Sequence, residues 1–142
     1  MTNIPGLDGL LGVEHVELTP DRVVVRFTIG EKHLQPFGIP HGGIYCAVHE
    51  STASIAGQLW LGTKGVVVGT NNSADFLRQA AVGDVITVTA TPIHRGRTQQ
   101  LWHLDSVNQA DKLIAQGQVR LANLDQEVPA EALAHFTGSP TS

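Results

Sequence analysis

Residues 35–60 read QPFGIPHGGIYCAVHESTASIAGQLW, and the reading of this stretch decides the fold. Pro36 and Pro40, with Gly38 between them, forbid a regular element before His41. No further proline occurs until Pro92, and after Gly43 no glycine until Gly57. Ile44, Tyr45, Val48, Ile55, Ala56 and Leu59 recur at spacings of three, four and seven, the period of a helix. Ala47, Ala53 and Ala56 keep that helix thin enough for close packing. Gly57 is a weak internal break and Gly62 the expected stop. The apolar positions fall on more than one face, which predicts a helix buried on most sides.

Glu50 is the only acidic residue in this stretch. Glutamate is almost never fully buried unless it is paired or functional. Positions 46, 47, 53 and 54 are Cys, Ala, Ala and Ser, so no basic residue on the same helix neutralises it. Ser54, one turn on, is placed to hydrogen-bond to it. Two readings stay open: a carboxylate facing solvent at the helix edge, or a buried functional group.

His41 and Glu50 are nine residues apart. At about 100° and 1.5 Å per residue they point to opposite sides of one helix, separated by roughly 13 Å along its axis. One copy of the helix cannot bring both to the same reacting atom. If both are catalytic, two subunits build the site. The backbone N–H groups of Gly42 and Gly43 fall at the helix N-terminus, where partial positive charge collects and glycine permits close approach.

Outward from this helix the chain reads as strands. Residues 2–12 are glycine-rich with Leu7, Leu10 and Leu11, a short helix or coil covering something apolar. Residues 13–18 alternate loosely, and 22–29 form the strand that precedes the helix. After Gly62 come 65–70, with an extension into Asn71 and Asn72, then a turn over 77–83. Residues 84–91 form a strand ended or edged by Pro92. Residues 99–107 put Trp102 and Leu104 on one face. Residues 113–124 close the sheet, with Gly117 a candidate bulge. A tail follows, with a short helix predicted over 130–136. Leu59, Trp60 and Phe76 read as core rather than as pocket wall.

One strand, a long helix and four strands on short turns predict an α+β fold, an antiparallel sheet wrapped around one central helix. Its open edges invite pairing with a second copy. The 142 residues make one domain, with a core over about 10–124 and a tail over 125–142. A net charge of −4 gives no electrostatic case for nucleic acid. The single cysteine, Cys46, excludes an internal disulfide and reads as a small buried apolar residue. The N-terminus lacks the pattern of a secretory signal, and no stretch approaches transmembrane length, so a cytoplasmic location without membrane contact is expected.

His15, His33, His41, His49, His94, His103 and His135 form no metal-binding pattern, and no metal or cofactor is expected. No nucleophile elbow and no phosphate-cradling glycine loop occurs. Arg95 and Arg97 flank Gly96 in a turn, and Arg78 lies in another. They read either as solvated basic turns or as docks for an anionic ligand.

Gln35-Pro36-Phe37-Gly38, His41-Gly42-Gly43, Glu50 and Ser54 together resemble the hotdog-fold acyl-CoA thioesterases. The likeness is to the PaaI-like group, including the glutamate-using 4-hydroxybenzoyl-CoA thioesterase. The resemblance implies Glu50 as nucleophile or general base, and the Gly42 N–H as polariser of the thioester carbonyl. It implies Gln35 as holder of the carbonyl or water, His41 as support of the loop or leaving thiolate, and Ser54 as orienter of Glu50 or the water. His94, Arg95, Gly96, Arg97 and Thr98 resemble the segment that the family places near CoA. Asn71 and Asn72 take no role from it. The expectation is an acyl-CoA thioesterase acting on an aromatic or medium-chain ester, assembled as a homo-oligomeric dimer of dimers with shared sites. The rivals are a hotdog hydratase or dehydratase and a non-catalytic acyl-CoA binder.

Overall fold

The computed structural model describes residues 4–134. A short helix, α1 (Gly6–Leu11), is followed by strands β1 (Glu14–Leu18) and β2 (Val23–Thr28). The long helix α2 (Gly42–Leu61) comes next, then β3 (Val66–Phe76), β4 (Val85–Arg95), β5 (Gln99–Val107) and β6 (Leu113–Leu124). All strand pairs are antiparallel, and the spatial order is β1-β2-β4-β5-β6-β3. The sheet wraps α2, as the helix–strand pattern predicts. A 3-10 turn at Ala130–Leu133 answers the start of the short helix predicted over 130–136; positions 135 and 136 lie outside the described residues.

The core lies between α2 and the concave face of the sheet. Ile44, Val48, Ile55 and Ala56 meet Val25, Phe27, Ile86, Val88, Trp102, Leu104, Val119 and Leu121, all buried. On β5 the alternation is strict: Gln100, Trp102, Leu104 and Ser106 are buried and their neighbours are not. Fully burying each large side chain contributes roughly 1.5–3 kcal/mol.

Two buried glutamines close the polar seams of this core. Gln58 donates to the carbonyls of Gly62 and Gly65 and accepts from Val67 N–H, so it joins the end of α2 to the start of β3. Gln100 donates to Gly57 O and Asn123 Oδ1 and accepts from Trp102 Nε1. Buried amides are tolerated where their donors and acceptors are engaged.

Several sequence expectations are corrected. Two strands precede the helix, not one; β1 is almost wholly exposed at the sheet edge and so carries little apolar alternation. Gly57 does not break α2: a β-carbon there would come 2.4 Å from Leu121 Cδ1, and the glycine lets the helix lie close on the sheet. Of the two readings of Pro92, the edge holds and the end does not: β4 continues to Arg95 through an irregularity between Pro92 and His94, and Pro92 lies past Ala90, the last residue paired with β2. Gly117 makes no bulge and pairs with Ala74; the irregularity lies further along, between Gly69 and Asn71 on β3, opposite Leu121 and Arg120. Gly117 instead permits the close approach of β3, since a β-carbon would meet Ser73 O at 2.2 Å. As expected, α2 is buried on most sides, but Gly43, Cys46, Ala47, Glu50, Ser51 and Ser54, spaced by three and four, form one partly exposed stripe that the sheet does not cover.

Candidate active site

The loop before α2 is built by hydrogen bonds. His33 is buried; its Nδ1 accepts from Gly30 N–H at 2.8 Å, which leaves Nε2–H to donate to Leu11 O at 2.8 Å. His33 O accepts from His41 N–H at 2.8 Å, and Leu34 bridges Pro40. Within this loop Gln35 N–H donates to Ile39 O, and Gln35 Oε1 accepts from Phe37 N–H. The side-chain amide is thereby oriented, and Gln35 borders the adjacent cleft.

His41 is the N-cap of α2, and its Nδ1 accepts from Gly43 N–H at 2.8 Å. That bond puts the proton of neutral His41 on Nε2, a donor. The Gly42 N–H has no hydrogen-bond partner among the described residues. It is one of the orphan donors of a helix start, at the positive end of a twenty-residue helix.

Gln35, His41 and Gly42 share a cleft of about 580 Å³ with Tyr45, Phe76 and Arg78. The Phe76 ring lies so close to Gly42 that a β-carbon there would meet it at 2.9 Å. Phe76 is therefore a wall of this cleft, half exposed, and not the core residue expected. Trp60 lies elsewhere, and Leu59 is partly buried against the core.

Glu50 lies on the other side of α2, in a second cleft of about 240 Å³ with Pro5, Asp8, His15, Ser51 and Ser54. It is exposed in the protomer, so the buried reading fails for a single copy. Its carboxylate lies over Gly69 at the irregularity of β3, where a β-carbon would come 3.1 Å from the carboxyl carbon. One turn earlier, Cys46 O accepts from Asn72 Nδ2 at 2.8 Å, tying the helix to β3. Cys46 is partly exposed rather than buried. Asp8 accepts from Ser51 Oγ at 2.7 Å, which lashes α1 across the helix beside Glu50. Glu50 and Ser54 thus stand together, Gln35, His41 and Gly42 stand together, and one protomer does not join the two sets. Eight residues separate Gly42 from Glu50, about 12 Å along the axis.

The segment expected near CoA divides. Gly96, Arg97 and Thr98 border a pocket of about 490 Å³ with Trp60, Lys64 and Asn123, at the far end of α2. Asn123 Nδ2 holds the carbonyls of Gly96 and Arg97 in place. Arg95 does not border that pocket. Its guanidinium donates to Asp21 Oδ1 at 2.7 Å and stacks near Trp60 and Trp102, 5.6 and 5.9 Å from their ring centroids. His94 packs against Gly96, where a β-carbon would meet its Nε2 at 2.6 Å.

His49, next to Glu50 in sequence, points away from it into the core. It is 0% exposed, and its Nε2 lies 2.7 Å from Ser106 Oγ. Burial pushes its pKa down to about 4, against a smaller opposite pull from Asp105. It is neutral at pH 7 and has no path to a substrate.

Sequence reading missed Tyr45, Gly69 and Asn72 as members of the site's surroundings. Tyr45 was legible: it stands three residues after Gly42, on the same helix side, and is the sole tyrosine of the chain. Gly69 and Asn72 carry no local signal, because their proximity to Glu50 is set by strand pairing. Among the described residues no group of His, Cys, Asp and Glu side chains is arranged to hold a metal, and no helix is long and apolar enough to cross a membrane.

Residues 37–115 match the model of the thioesterase superfamily. The crystal structure of AziG from S. sahachiroi superposes with a TM-score of 0.84 at 47% identity, covering 87% of this chain and 99% of that one. The Mycobacterium tuberculosis protein Rv1847 is 46% identical over 121 residues, 83% of this chain and 86% of that protein. The 1,4-dihydroxy-2-naphthoyl-CoA hydrolase of Listeria monocytogenes is 32% identical over 109 residues, 77% of this chain and 88% of the hydrolase.

Proposed function

The chain belongs to the thioesterase superfamily, and from that premise we propose that it is a cytoplasmic acyl-CoA thioesterase releasing an aromatic or medium-chain acid and CoA. One observation carries the catalytic assignment. The unpartnered Gly42 N–H and the Glu50 carboxylate each open into a cleft, on opposite sides of one helix. Two copies related by a twofold axis bring Glu50 of one to Gly42 of the other.

Three surfaces support such a pairing. Phe37, beside Gln35, is 91% exposed. The stripe along α2 consists of small residues and Glu50. β3, whose Gly69 floors the Glu50 carboxylate, is an edge strand with one side unpaired among the described residues. A second pairing of such dimers makes the dimer of dimers.

The chemistry follows from the groups. The Gly42 N–H donates to the thioester carbonyl oxygen, with the helix terminus stabilising the negative charge that grows there. Gln35 NH2 holds the same oxygen or the attacking water. Glu50 either attacks the carbonyl carbon, forming an anhydride that water then cleaves, or takes a proton from water as the water attacks. The C–S bond breaks with its electron pair on sulfur. A thiolate leaves easily, so no strong acid is required, and His41 supports the loop or, through Nε2–H, the leaving thiolate. Ser54 orients Glu50 or the water. Arg97, Gly96 and Thr98, with Lys64, take the phosphates of CoA, and Arg95 and His94 hold the shape of that turn.

The test is hydrolysis of an acyl-CoA panel by wild type and Glu50→Ala. Release of free CoA by wild type, falling at least about a hundredfold in the folded variant, is expected. Wild-type turnover in the variant would remove Glu50 from the mechanism.

A further inference from the structure

We infer that Asn72 is a positioning residue for Glu50: its side-chain amide grips the helix turn that carries the carboxylate, and a one-residue bulge in β3 is what aims Asn72 at that helix. This rests on the thioesterase reading above and adds a residue to its machinery.

On a regular strand, residues three apart face opposite sides of the sheet. Gly69 and Asn72 nevertheless both face α2. A β-carbon on Gly69 would meet the Glu50 carboxylate, and Asn72 Nδ2 donates to Cys46 O at 2.8 Å. Thr70 produces the exception. Gly69 pairs with Leu121 and Asn71 with Arg120, so Thr70 is an extra residue without a counterpart on β6, and its hydroxyl donates to Arg120 O at 3.3 Å. A bulge of this kind re-aims side chains. Beyond it the alternation resumes: Phe76, four residues after Asn72, is again on the helix side, with its ring against Gly42. Gly69, Asn72 and Phe76 thus meet Glu50, Cys46 and Gly42, three helix positions spaced by four.

The carbonyl that Asn72 grips belongs to the residue four before Glu50. In an α-helix that carbonyl already accepts the Glu50 backbone N–H. The backbone of Glu50 and the amide of Asn72 therefore share one acceptor. The strand whose Gly69 lies beneath the carboxylate also holds the turn from which that side chain springs. Stability does not call for this amide. Without it Cys46 O keeps its helix bond. With it Asn72 Oδ1 is buried and has no hydrogen-bond partner among the described residues, an unfavourable state that a hydrocarbon side chain of similar size would remove. What the amide supplies is a fixed spacing between β3 and the Glu50 turn, and reaction rates depend steeply on such placement.

The experiment compares wild type with Asn72→Leu, which removes the amide at similar size, and with Asn72→Thr, a strand-favouring residue too short to reach Cys46 O. Steady-state kinetics on the acyl-CoA panel, thermal melts and amide hydrogen exchange along α2 are measured for each. A fall in kcat of at least about tenfold with little change in KM is expected of both variants. Asn72→Leu is expected to melt no lower than wild type, and exchange to quicken at Glu50 but not at Ile55 and Ala56, further along the helix. A kcat within about twofold of wild type in the folded variants overturns the assignment. So does a loss of kcat matched by a lower melting temperature and faster exchange along the whole helix, which marks a merely structural role. If Asn72→Leu does not fold, Asn72→Thr decides by the same readouts. If wild type hydrolyses no ester, the thioesterase reading fails, and exchange at Glu50 alone decides whether Asn72 holds its turn.

Discussion

The carboxylate of Glu50 rests on Gly69: a β-carbon at position 69 would lie 3.1 Å from the carboxyl carbon and 3.2 Å from one of its oxygens. The helix fixes where Glu50 begins, and an edge strand fixes where its charge ends. Gly69→Ala is therefore expected to fold normally yet push the carboxylate aside. A displacement of about 1 Å costs roughly a hundredfold in rate where geometry governs. Steady-state kinetics beside a thermal melt checks this; unchanged kcat/KM in a folded variant would show that β3 does not position Glu50.

Gly57→Ala tests the packing of α2 on the sheet. Its β-carbon would meet Leu121 Cδ1 at 2.4 Å and Gln100 Oε1 at 2.8 Å, and Gln100 is already bonded to Trp102, Asn123 and Gly57 itself. Overpacking of this kind costs about 1–3 kcal/mol. Urea unfolding should show a lower midpoint with an unchanged slope.

His49 makes stability pH-dependent. Its folded pKa of about 4 lies below the ordinary value of 6.5, so the unfolded chain binds the proton first as pH falls. Its contribution is complete above pH 6.5 and is lost on acidification toward pH 4, by about 3 kcal/mol at 1.36 kcal/mol per pH unit. His49→Gln, which keeps a partner for Ser106, should show a shallower fall between these pH values than wild type. Parallel unfolding curves at both pH values would refute the assignment.

If the turn over residues 94–98 takes CoA as proposed, Arg97→Ala and Lys64→Ala are expected to raise KM for an acyl-CoA by about tenfold, less at high salt, since the contacts proposed there are to phosphate. An N-acetylcysteamine thioester, which lacks the nucleotide, should show no such rise. Arg95→Ala, which releases Asp21 and uncovers Trp60 and Trp102, should lower the melting temperature instead.

Most of this architecture was legible because it is local. The period of α2, its stop at Gly62 and the alternation of β5 follow from neighbours in sequence. So does the opposite facing of His41 and Glu50. What stayed hidden depends on pairing between distant segments. β1 lacks an apolar face because only its edge touches the sheet. Pro92 passes through β4 because β2 has already ended. Phe76 is an exposed wall because β3 runs past the helix start, which no property of residues 65–76 announces. Glu50 is exposed in one protomer because the uncovered stripe of α2 is read only once the sheet's reach is known.

Hetero-oligomers assembled from Glu50→Ala and Gly42→Pro protomers test the shared site most directly. Proline at the first helical position has no N–H to donate, and its β-carbon also presses on the Phe76 ring at 2.9 Å, so Gly42→Ala, which keeps the N–H, is the control. On the proposed mechanism each parent homo-oligomer is expected to be inactive. A purified heterodimer contains one site with both groups intact and one with neither. The account predicts recovery to about half of wild-type activity. Verified hetero-oligomers no more active than either parent would contradict it.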